Sequence, residues 1–548
     1  MAFYPTHRHS PPRRPNMKPL QHLGLLIFAL SPLFAQAKDQ QPNVIIVMAD
    51  DISARDFPIY ESTRCYGERA STPVIDRLAK EGCYLTTAWS STVCMPTRAM
   101  LMSGRYAHLT KWWDNGEFGK AKRRGGGIYE VAVSSPLTIG HVARHAGYRS
   151  IWVGKTHVTT GSSYTKFAFD EGVFTPGEPD VRGTSPYDHF KNVKNKEFWN
   201  SDSFLWWPEV QVANHPSHPD KPFSWQETKI SDYGPDIELE RIFDFMERSK
   251  AQDKPFFVYH TSHLGHQAVD MASPRHNMTW PGTPKLTWNA ESKTYTRHEP
   301  KITPRGPVNT LSTTYEKENI TPDELKYQIE YLDYQMWQYI NKLKAMGELE
   351  NTIVIFTSDN ATKGWKASVE KQRGVHVPFV VYAPGQSPFV QGKQNIIADL
   401  SDMLPTLADI MGTKLPTQDE YELNGTSLWP YLTKQSDKHR EWIYGFKGNR
   451  QMVRGHHLLR DGKGAWWDAS ETPANMDSFP QITDLTSLSA DQQREKVMID
   501  DVLKRFARSD VGGHHSFHAD PSRKLTEQEI DKMRLKRQRL EEHLEQFE

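Results

Sequence analysis

The sequence contains few cysteines, no excess of charge of either sign and no long apolar run. Its 548 residues include 3 cysteines, and 67 Lys and Arg residues balance 67 Asp and Glu residues. These numbers exclude a scaffold stapled by several disulfides, and they leave no overall field that would favour nucleic acid or an anionic membrane. No run reaches the roughly 18 consecutive apolar residues of a membrane-spanning helix. We therefore expect a globular protein with neither a nucleic-acid partner nor a membrane span.

The first 37 residues have the pattern of a secretory signal peptide. Four basic residues precede or flank the start of an apolar run at residues 23–30, and residues 35–37 (AQA) match the small-x-small cleavage pattern. Met17 is an alternative start of translation, because the basic and apolar regions follow it directly. We expect a secreted or periplasmic protein, and the low number of cysteines favours a bacterial one.

With three cysteines, at least one thiol is unpaired. Cys65 and Cys83 could form a disulfide. Cys83 also lies in the apolar segment 82–85 (GCYL), which favours a buried thiol in a strand, and we prefer this interpretation. Cys94 belongs to a motif that is described below.

Three apolar segments, each followed by polar residues, predict buried strands of one sheet. They are residues 43–48 (NVIIVM), 255–259 (PFFVY) and 352–357 (TIVIFT). Between the last two, apolar residues spaced three and four apart from Leu325 to Leu343 predict a helix that ends at Gly347. Strand, helix and strand in succession are typical of an α/β fold, whose sites lie at the carboxyl ends of strands.

The patterns divide the chain into two parts. Residues 38–434 are expected to form the main α/β domain, with insertions at 161–250 and 270–320, where periodicity is weak and Pro, Trp, His and Ser are frequent. Short apolar segments in residues 435–548 predict a small antiparallel subdomain. A capping box at residues 526–529 predicts that this subdomain ends in a charged helix.

Oxygen-bearing side chains follow two of the predicted strands. Asp50 and Asp51 come after the first strand, and Asp359 and Asn360 come after the strand at 352–357. Carboxylate and amide oxygens are the ligands that Ca²⁺ and Mg²⁺ prefer. Adjacent acids are also common loop caps, so each pair alone is weak support for a metal site.

Residues 90–105 (SSTVCMPTRAMLMSGR) contain Cys94-x-Pro-x-Arg98 followed by Leu-x-Ser-Gly-Arg. This segment resembles the signature of the type I sulfatases of the alkaline phosphatase superfamily, in which the cysteine is oxidised to formylglycine. Other segments resemble family elements in the same order: 43–51, 154–157 (GKTH), 352–360, 377–380 (VPFV), 402–407 (DMLPTL) and 424–428 (NGTSL). The resemblance implies a large central mixed, mostly parallel sheet flanked by helices, with a smaller C-terminal antiparallel sheet.

The resemblance also implies the reaction and the site. A sulfate ester would be hydrolysed by the hydrate of formylglycine at residue 94, after conversion by a formylglycine-generating maturation enzyme. Arg98 would orient the hydrate, and Lys155 and His157 would contact its hydroxyl or the sulfate oxygens. One Ca²⁺ would be held by Asp50, Asp51, Cys94, Asp359 and Asn360.

Two segments of this sequence depart from the family pattern: the one expected to supply a catalytic histidine and the one expected to supply a further lysine. The leaving alcohol needs a proton, and the alignment favours His266 as its donor, with His260 and His263 as competing candidates. A further family lysine matches Lys366 after a shift of one residue. Its alternatives are Lys363 and Lys371.

Two other functions stay open at this point. A phosphonate or phosphodiester hydrolase of the same superfamily can share the Cys-x-Pro-x-Arg segment. A catalytically dead glycan-binding protein would result if Cys94 were never oxidised. The export signal, the insertions and three tryptophan pairs favour a sulfated polysaccharide or oligosaccharide as substrate, although paired indoles can pack in a core as well as stack on sugars. The pairs are Trp112–Trp113, Trp206–Trp207 and Trp466–Trp467.

Overall fold

A computed structural model of the chain describes residues 41–115, 131–158, 163–174, 209–213, 224–227, 233–266, 283–300, 319 and 324–507. The predicted signal peptide, the predicted helix after residue 526 and the Trp206–Trp207 pair lie outside the described residues. None of the described helices is both long enough and apolar enough to cross a membrane.

The described part of the chain contains strands and helices that alternate through its first two thirds. The strands are β1 (Asn43–Ala49), β2 (Cys83–Trp89), β3 (Arg149–Gly154), β4 (Glu171–Phe174), β5 (Glu209–Ala213), β6 (Ser224–Glu227), β7 (Phe256–Thr261), β8 (Leu286–Asn289), β9 (Thr294–Arg297), β10 (Thr352–Ser358), β11 (His376–Val377), β12 (Phe379–Tyr382), β13 (Gly392–Asp399), β14 (Ile443–Lys447), β15 (Arg450–Arg454), β16 (Leu458–Arg460), β17 (Trp466–Asp468) and β18 (Gln481–Ile482). The α-helices are α1 (Pro73–Glu81), α2 (Cys94–Ser103), α3 (Ala107–Thr110), α4 (Val131–Ser134), α5 (Ile139–His145), α6 (Gly234–Ala251), α7 (Leu325–Met346), α8 (Met403–Met411), α9 (Trp429–Leu432) and α10 (Ala490–Arg505).

The main sheet is mixed and has eleven strands. Ten follow the order β11-β2-β12-β10-β1-β7-β3-β4-β5-β6, and β13 pairs with β2 beside this path. Its centre, β10-β1-β7-β3-β4, is parallel throughout. Strands β14 to β18 form a separate antiparallel sheet, and β8 and β9 form a hairpin. The predicted α/β fold with a second, antiparallel sheet near the C-terminus is therefore confirmed.

The central strand β1 explains why the first apolar segment shows no alternation. Val44, Ile46 and Met48 pack in one core, whereas Ile45 and Val47 pack in the core on the other face of the sheet. Helices α2, α5 and α8 cover the first face, and α1, α6 and α7 cover the second. A strand buried on both faces carries apolar residues at every position.

Among the described α-helices, the sequence pattern predicted only α7, and α6 and α10 are two of those that it missed. Helix α6 and strands β4 to β6 fall within 161–250, the range expected to be an insertion. Charged residues alternate with apolar ones along α6, and one of its carboxylates, Glu238, is itself buried, so the helical period is obscured. Helix α10 begins with a capping box between Ser489 and Gln492, in which each side chain bonds the other's backbone N–H.

A group of charged and polar residues is buried between the main sheet and β14. Nη1 of Arg440 lies 3.0 Å from Asp399 Oδ2 and 2.7 Å from Asp402 Oδ1, and Nη2 donates to the Tyr106 hydroxyl at 2.8 Å. His439 Nε2 lies 2.9 Å from Asp402 Oδ2. We name these five residues the Arg440 cluster. They join the residues after α2, the start of α8 and the chain that enters the second sheet.

The remaining cysteine and tryptophan expectations can be assigned. All three cysteines are free, and Cys83 is a buried thiol of β2, as preferred above. Trp112 and Trp113 are buried, and the ring of Trp113 packs edge-on against Phe446 at 5.7 Å. This pair is part of the core and offers no exposed surface for stacking on a sugar.

Candidate active site

The metal-type residues meet because β1 and β10 are adjacent and parallel. Ala49 pairs with Ser358, the last residues of the two strands, so the acids that follow reach the same edge of the sheet. The backbone N–H of Asp51 donates to Asp359 Oδ1 at 3.0 Å. Asp51 has a positive φ of 57°, an uncommon conformation for a residue other than glycine, and this turn places both acids of the pair in the site.

Cys94 enters the site as the first residue of α2. The helix is buried along its whole length, and it ends at Gly104, whose φ of 68° suits the left-handed cap. At its start, the side chain of Asn115 accepts a hydrogen bond from the N–H of Met95 at 3.0 Å. The Cys94 Sγ atom lies 3.9 Å from Asp50 Oδ1 and 3.6 Å from Asp51 Oδ1.

These residues have the geometry of a cation site. One ligand atom each from Asp50, Asp51, Cys94 and Asp359 lies within 4.8 Å of all the others, and all four residues are buried. Ligands on opposite sides of a Ca²⁺ ion, each about 2.4 Å from it, are about 4.8 Å apart. We name these four residues the Cys94 cluster. Its donor set and its dimensions fit a hard divalent cation.

Asn360 supports the same assignment. Its Nδ2 donates to Asp51 Oδ1 at 2.6 Å, while its buried Oδ1 has no hydrogen-bond partner among the described residues. A buried acceptor of this kind is usually satisfied, and a cation would satisfy it.

Three cationic side chains surround the cluster, one beside each carboxylate. Arg98 donates from Nε to Asp359 Oδ2 at 2.9 Å, Lys155 Nζ donates to Asp50 Oδ2 at 2.5 Å, and Lys366 Nζ donates to Asp51 Oδ2. Arg98 also donates from Nη1 to the Lys155 carbonyl at 3.0 Å, which ties α2 to the end of β3. The arrangement is a dense, buried array of alternating charges.

The carboxylates of the cluster titrate differently. Burial alone would raise the pKa of Asp50, but Lys155 and Arg98 bring it below its ordinary value. Burial, together with the neighbouring charges of Asp50 and Asp359, raises the pKa of Asp51 to about 6. The chain's own cations therefore leave repulsion at Asp51 that a bound divalent cation would relieve.

The GKTH segment at 154–157 brings Lys155 and His157 into the site. Gly154 has a φ of 98°, and a Cβ there would lie 2.2 Å from the Thr261 carbonyl oxygen, so only glycine fits. His157 has a φ of 57°, and its buried Nδ1 lacks a hydrogen-bond partner. Burial and the charges of Lys155 and Arg98 hold the pKa of His157 well below its ordinary value.

The three histidines in β7 and in the loop after it contact two different carboxylates. His266 Nε2 lies 3.9 Å from Asp51 Oδ2, and its side chain is 28% exposed. His260 Nε2 lies 2.9 Å from Glu238 Oε2, and His263 Nδ1 lies 3.6 Å from Glu238 Oε1. Burial and the charges of Lys155 and Lys366 lower the pKa of His266 to about 2. His266 is thus the member of the trio that borders the Cys94 cluster.

The lysine candidates also separate. Lys366 contacts Asp51, as described above. Lys371 instead lies 3.8 Å from Asp477 Oδ2 and 4.7 Å from the ring centroid of Trp467, and Lys363 is exposed. Lys366 therefore lies beside the Cys94 cluster, and the two alternatives lie elsewhere.

Sequence reasoning missed the residues that support the ligand loops. Thr362 Oγ1 accepts from the Ser53 N–H at 2.8 Å, and Ser53 Oγ accepts from the Thr362 N–H at 3.0 Å. Thr362 Oγ1 in turn donates to Asp56. These reciprocal bonds hold the two acid-bearing loops against each other. The sequence signal that could have identified Ser53 and Thr362 is their shared position, two residues after Asp51 and two residues after Asn360.

Comparison with known proteins identifies the family. The family model described as Sulfatase matches residues 42–413. A sulfatase of Formosa agariphila is 26% identical over 494 residues, covering 79% of this chain and 81% of its own. An ulvan-active sulfatase of the same organism is 24% identical over 440 residues, covering 78% and 66%. The crystal structure of a Pseudoalteromonas sulfatase, 18% identical, superimposes with a TM-score of 0.58 and covers 86% and 92%.

The fold, the buried acids at the ends of β1 and β10, and the Cys-x-Pro-x-Arg segment at the start of α2 are thus found together in a chain that the family model spans for most of its length. The chain belongs to the sulfatase family and is a sulfuric ester hydrolase.

Proposed function

We propose that the protein hydrolyses sulfate esters of a sulfated polysaccharide or oligosaccharide, with formylglycine formed from Cys94 as the nucleophile and one Ca²⁺ in the Cys94 cluster. The observation that carries this proposal is the position of Cys94 at the start of α2. There its Sγ atom lies within 3.9 Å of the buried carboxylates of Asp50 and Asp51. In the thiol form described here, Sγ stands in for the oxygens of the hydrated aldehyde.

The two absent groups supply defined chemistry. The aldehyde hydrate would supply one hydroxyl as the nucleophile toward sulfur and a second hydroxyl, whose loss of a proton would reform the aldehyde and break the bond from the residue 94 carbon to the sulfate oxygen. The cation supplies charge that polarises the hydroxyl and the sulfate oxygens.

The chain's own residues bind and neutralise the sulfate group. A sulfate ester is an anion whose oxygens repel a nucleophile, so the site must offset this charge. Lys155 and Lys366 both end beside acids that adjoin the Sγ atom, and either ammonium can turn a proton toward a sulfate oxygen. Arg98 holds Asp359 and the Lys155 carbonyl in place, and thereby keeps residue 94 and the acids in register.

We assign different roles to the two site histidines, because the Nδ1 atom of His157 is buried whereas the His266 side chain is 28% exposed. The unpaired Nδ1 of His157 is buried, which suits a contact to the hydroxyl of residue 94 or to a sulfate oxygen. The partly exposed His266 lies on the open side, where the leaving alcohol must depart, so we assign to it the donation of a proton to that oxygen. An anion bound beside it would favour the protonated imidazole.

The proposed substrate class is based on a relative and on the predicted location of the protein. The curated relatives include an ulvan-active sulfatase. The predicted signal peptide and a secreted or periplasmic location suit a polymer outside the cytoplasm.

We retain the predicted division into a main domain at 38–434 and a C-terminal subdomain at 435–548 as part of the proposal.

The test is to co-express the protein with a formylglycine-generating enzyme and to measure the mass of the peptide that contains residue 94. We expect loss of the thiol, gain of an aldehyde, and release of sulfate from defined sulfated oligosaccharides in proportion to the fraction converted. Phosphodiester and phosphonate substrates serve as comparison arms. Full activity of a preparation that keeps an unmodified thiol would refute the mechanism, and faster turnover of a phosphonate would refute the substrate class.

A further inference from the structure

A cavity outside the candidate active site lies between the main sheet and the C-terminal sheet. It has a volume of about 590 Å³ and is lined by β2, β13, the turn between β15 and β16, and residues 469–476. No residue of the Cys94 cluster, and none of the cations or histidines around it, lines this cavity. It is thus separate from the site described above, and its size suits a ligand of one to a few rings.

A cation is buried in the wall of this cavity without an ion-pair partner. Arg454 is 4% exposed, and its Nε has no hydrogen-bond partner. Its Nη1 donates to Gln372 Oε1 at 2.7 Å and its Nη2 to the Ala469 carbonyl at 3.3 Å, both neutral acceptors. In the described part of the chain, no carboxylate forms an ion pair with it. Burial lowers the pKa of Arg454 to about 10, against the opposing charge of the more distant Glu495.

An unpaired buried guanidinium is costly, because the charge has lost water and has gained no counter-ion. Among the other buried arginines, Arg98 pairs with Asp359 and Arg440 pairs with Asp399 and Asp402. Arg105, which does not line this cavity, donates to two backbone carbonyls and lies over the ring of Tyr421. A neutral side chain could bond Gln372 and Ala469 without the cost. The positive charge at Arg454 is accounted for if the cavity receives an anion.

The rest of the lining suits a polar ring compound. Lys393 adds a second positive charge from β13, and Tyr84, Thr87 and Asn395 add hydroxyl and amide groups. Two acids, Glu61 and Glu471, also line the cavity, and both are exposed. Because water screens these exposed acids, the buried guanidinium determines which charge is favoured inside.

We infer that this cavity is a second, non-catalytic binding site for an anionic saccharide, with a sulfate or carboxylate group against Arg454. The choice of a saccharide rests on the proposed function, since a sulfated polymer would present further acidic residues beyond the one being hydrolysed. A site remote from the chemistry would hold the chain on its substrate and raise the local concentration of sulfate esters.

The test uses the full-length protein and hydrogen–deuterium exchange, which reports on this cavity separately from the catalytic site. The probes are a sulfated heparin disaccharide, an unsulfated chondroitin disaccharide that carries only a carboxylate, and neutral maltose. We expect at least one acidic disaccharide to slow exchange in peptides that cover residues 391–397 and 469–476, and maltose to have no effect. Protection by the carboxylate probe alone would support a uronic acid as the recognised group, and protection by the sulfated probe alone would support a sulfate.

Variants separate the cavity from the fold. Arg454→Gln should abolish the protection, and Lys393→Ala, a change at an exposed residue, should weaken binding several-fold by calorimetry. Lys414→Ala is the matched control, because this lysine is exposed and does not line the cavity. Equal protection by maltose, or no protection by either acidic probe, would overturn the inference. If Arg454→Gln does not fold, Lys393→Ala decides, and wild-type affinity in that variant would overturn it.

The outcome is independent of the catalytic proposal. A protein that hydrolyses sulfated oligosaccharides but shows no protection of the cavity would contradict this inference alone. A protein that binds acidic disaccharides in the cavity but hydrolyses no sulfate ester would contradict the proposed function alone.

Discussion

The Cys94 cluster and the Arg440 cluster are both buried, and in both an arginine pairs with aspartates, Arg98 beside the first and Arg440 within the second. They differ in how the polar atoms of the two sites are satisfied. In the Arg440 cluster each carboxylate oxygen of Asp399 and Asp402 has at least two partners within the chain. Beside the Cys94 cluster, Asn360 Oδ1 and His157 Nδ1 are buried without a hydrogen-bond partner. The carboxylate oxygens of the Arg440 cluster are thus satisfied within the chain. The residues beside the Cys94 cluster instead keep polar atoms that a bound cation or ligand could satisfy. Buried charge therefore has two uses here, and the unsatisfied atoms distinguish them.

The largest expected effect separates chemistry from stability. Cys94→Ala should lower turnover of a sulfate ester by about 10⁶-fold, the loss typical of removing a nucleophile. The melting temperature should stay close to that of the wild type, because no ion pair of the site is broken. Steady-state kinetics and calorimetry on one preparation check both statements. Residual turnover within tenfold of the wild type would contradict the assignment of residue 94.

The reverse result, lower stability with unchanged turnover, is expected for a substitution in the Arg440 cluster. Arg440→Met should lower the free energy of unfolding by about 3–5 kcal/mol, because Asp399 and Asp402 would be left buried without their cation. Turnover by the folded fraction should be unchanged. Urea unfolding gives the stability, with Arg450→Met as an exposed control expected within about 0.5 kcal/mol of the wild type. Equal costs for the two substitutions would mean that the Arg440 cluster adds no stability.

Metal should act on one cluster only. Chelation should abolish turnover, and Ca²⁺ should restore it better than Zn²⁺, since the ligands are mostly oxygens. Ca²⁺ at a hundredfold excess over its Kd should also stabilise the chelated protein by about 2.7 kcal/mol. Asp359→Asn should remove this stabilisation, while Asp402→Asn should retain it on a less stable background. Full turnover of protein shown to be metal-free would contradict the ligand assignment.

The open side of the Cys94 cluster can be tested through the leaving group. A sugar alcohol needs a proton when it departs, whereas a nitrophenol does not. His266→Ala should therefore lose a further ~10²-fold of turnover on a sulfated oligosaccharide compared with a nitrophenyl sulfate. His263→Ala is the matched comparison, because His263 faces Glu238. If His263→Ala shows the leaving-group dependence instead, the proton donor is His263.

The smallest expected effect concerns pH. Burial would raise the pKa of Asp402, but the charges of Arg440 and His439 bring it below its ordinary value. A carboxyl whose pKa is lowered in the folded state adds stability above its unfolded pKa of about 4, and this stability is lost as the pH falls through the folded value. The stability difference between wild type and Asp402→Asn should thus narrow below about pH 4. Urea unfolding at pH 7 and pH 3.5 measures it, and a constant difference would contradict this pairing.

Much of the Cys94 cluster could be predicted because it is built from short segments with fixed chemistry. The run at 43–48 ends in Asp50 and Asp51 because a buried strand carries apolar residues until it reaches the sheet edge. The Cys-x-Pro-x-Arg segment places residues 94 and 98 one turn apart on α2, so both point to the same side. Such local periodicities are readable in one sequence.

Other parts could not be read in this way. The Arg440 cluster joins residues that are over 300 positions apart, from Tyr106 to Arg440, and no local pattern marks such pairs. Helix α6 was missed because a buried Glu238 interrupts its apolar face, and the side chains beside that carboxylate, His260 and His263, come from β7 and the loop after it. Long-range partners decide whether a charged residue is buried.

The sequence by itself determined the α/β class, the acid pairs at the strand ends and the cysteine that identifies the family, because each depends on spacing within a few residues. Only the tertiary structure decided that His266 and Lys366 border the cluster while His263 and Lys371 turn to Glu238 and Asp477. It also decided that Trp112 and Trp113 are core residues and that Arg454 is buried with no ion-pair partner in the part of the chain that the structure describes. The physical reason is that burial and charge pairing depend on which strands become neighbours, and neighbours in this sheet come from distant parts of the chain.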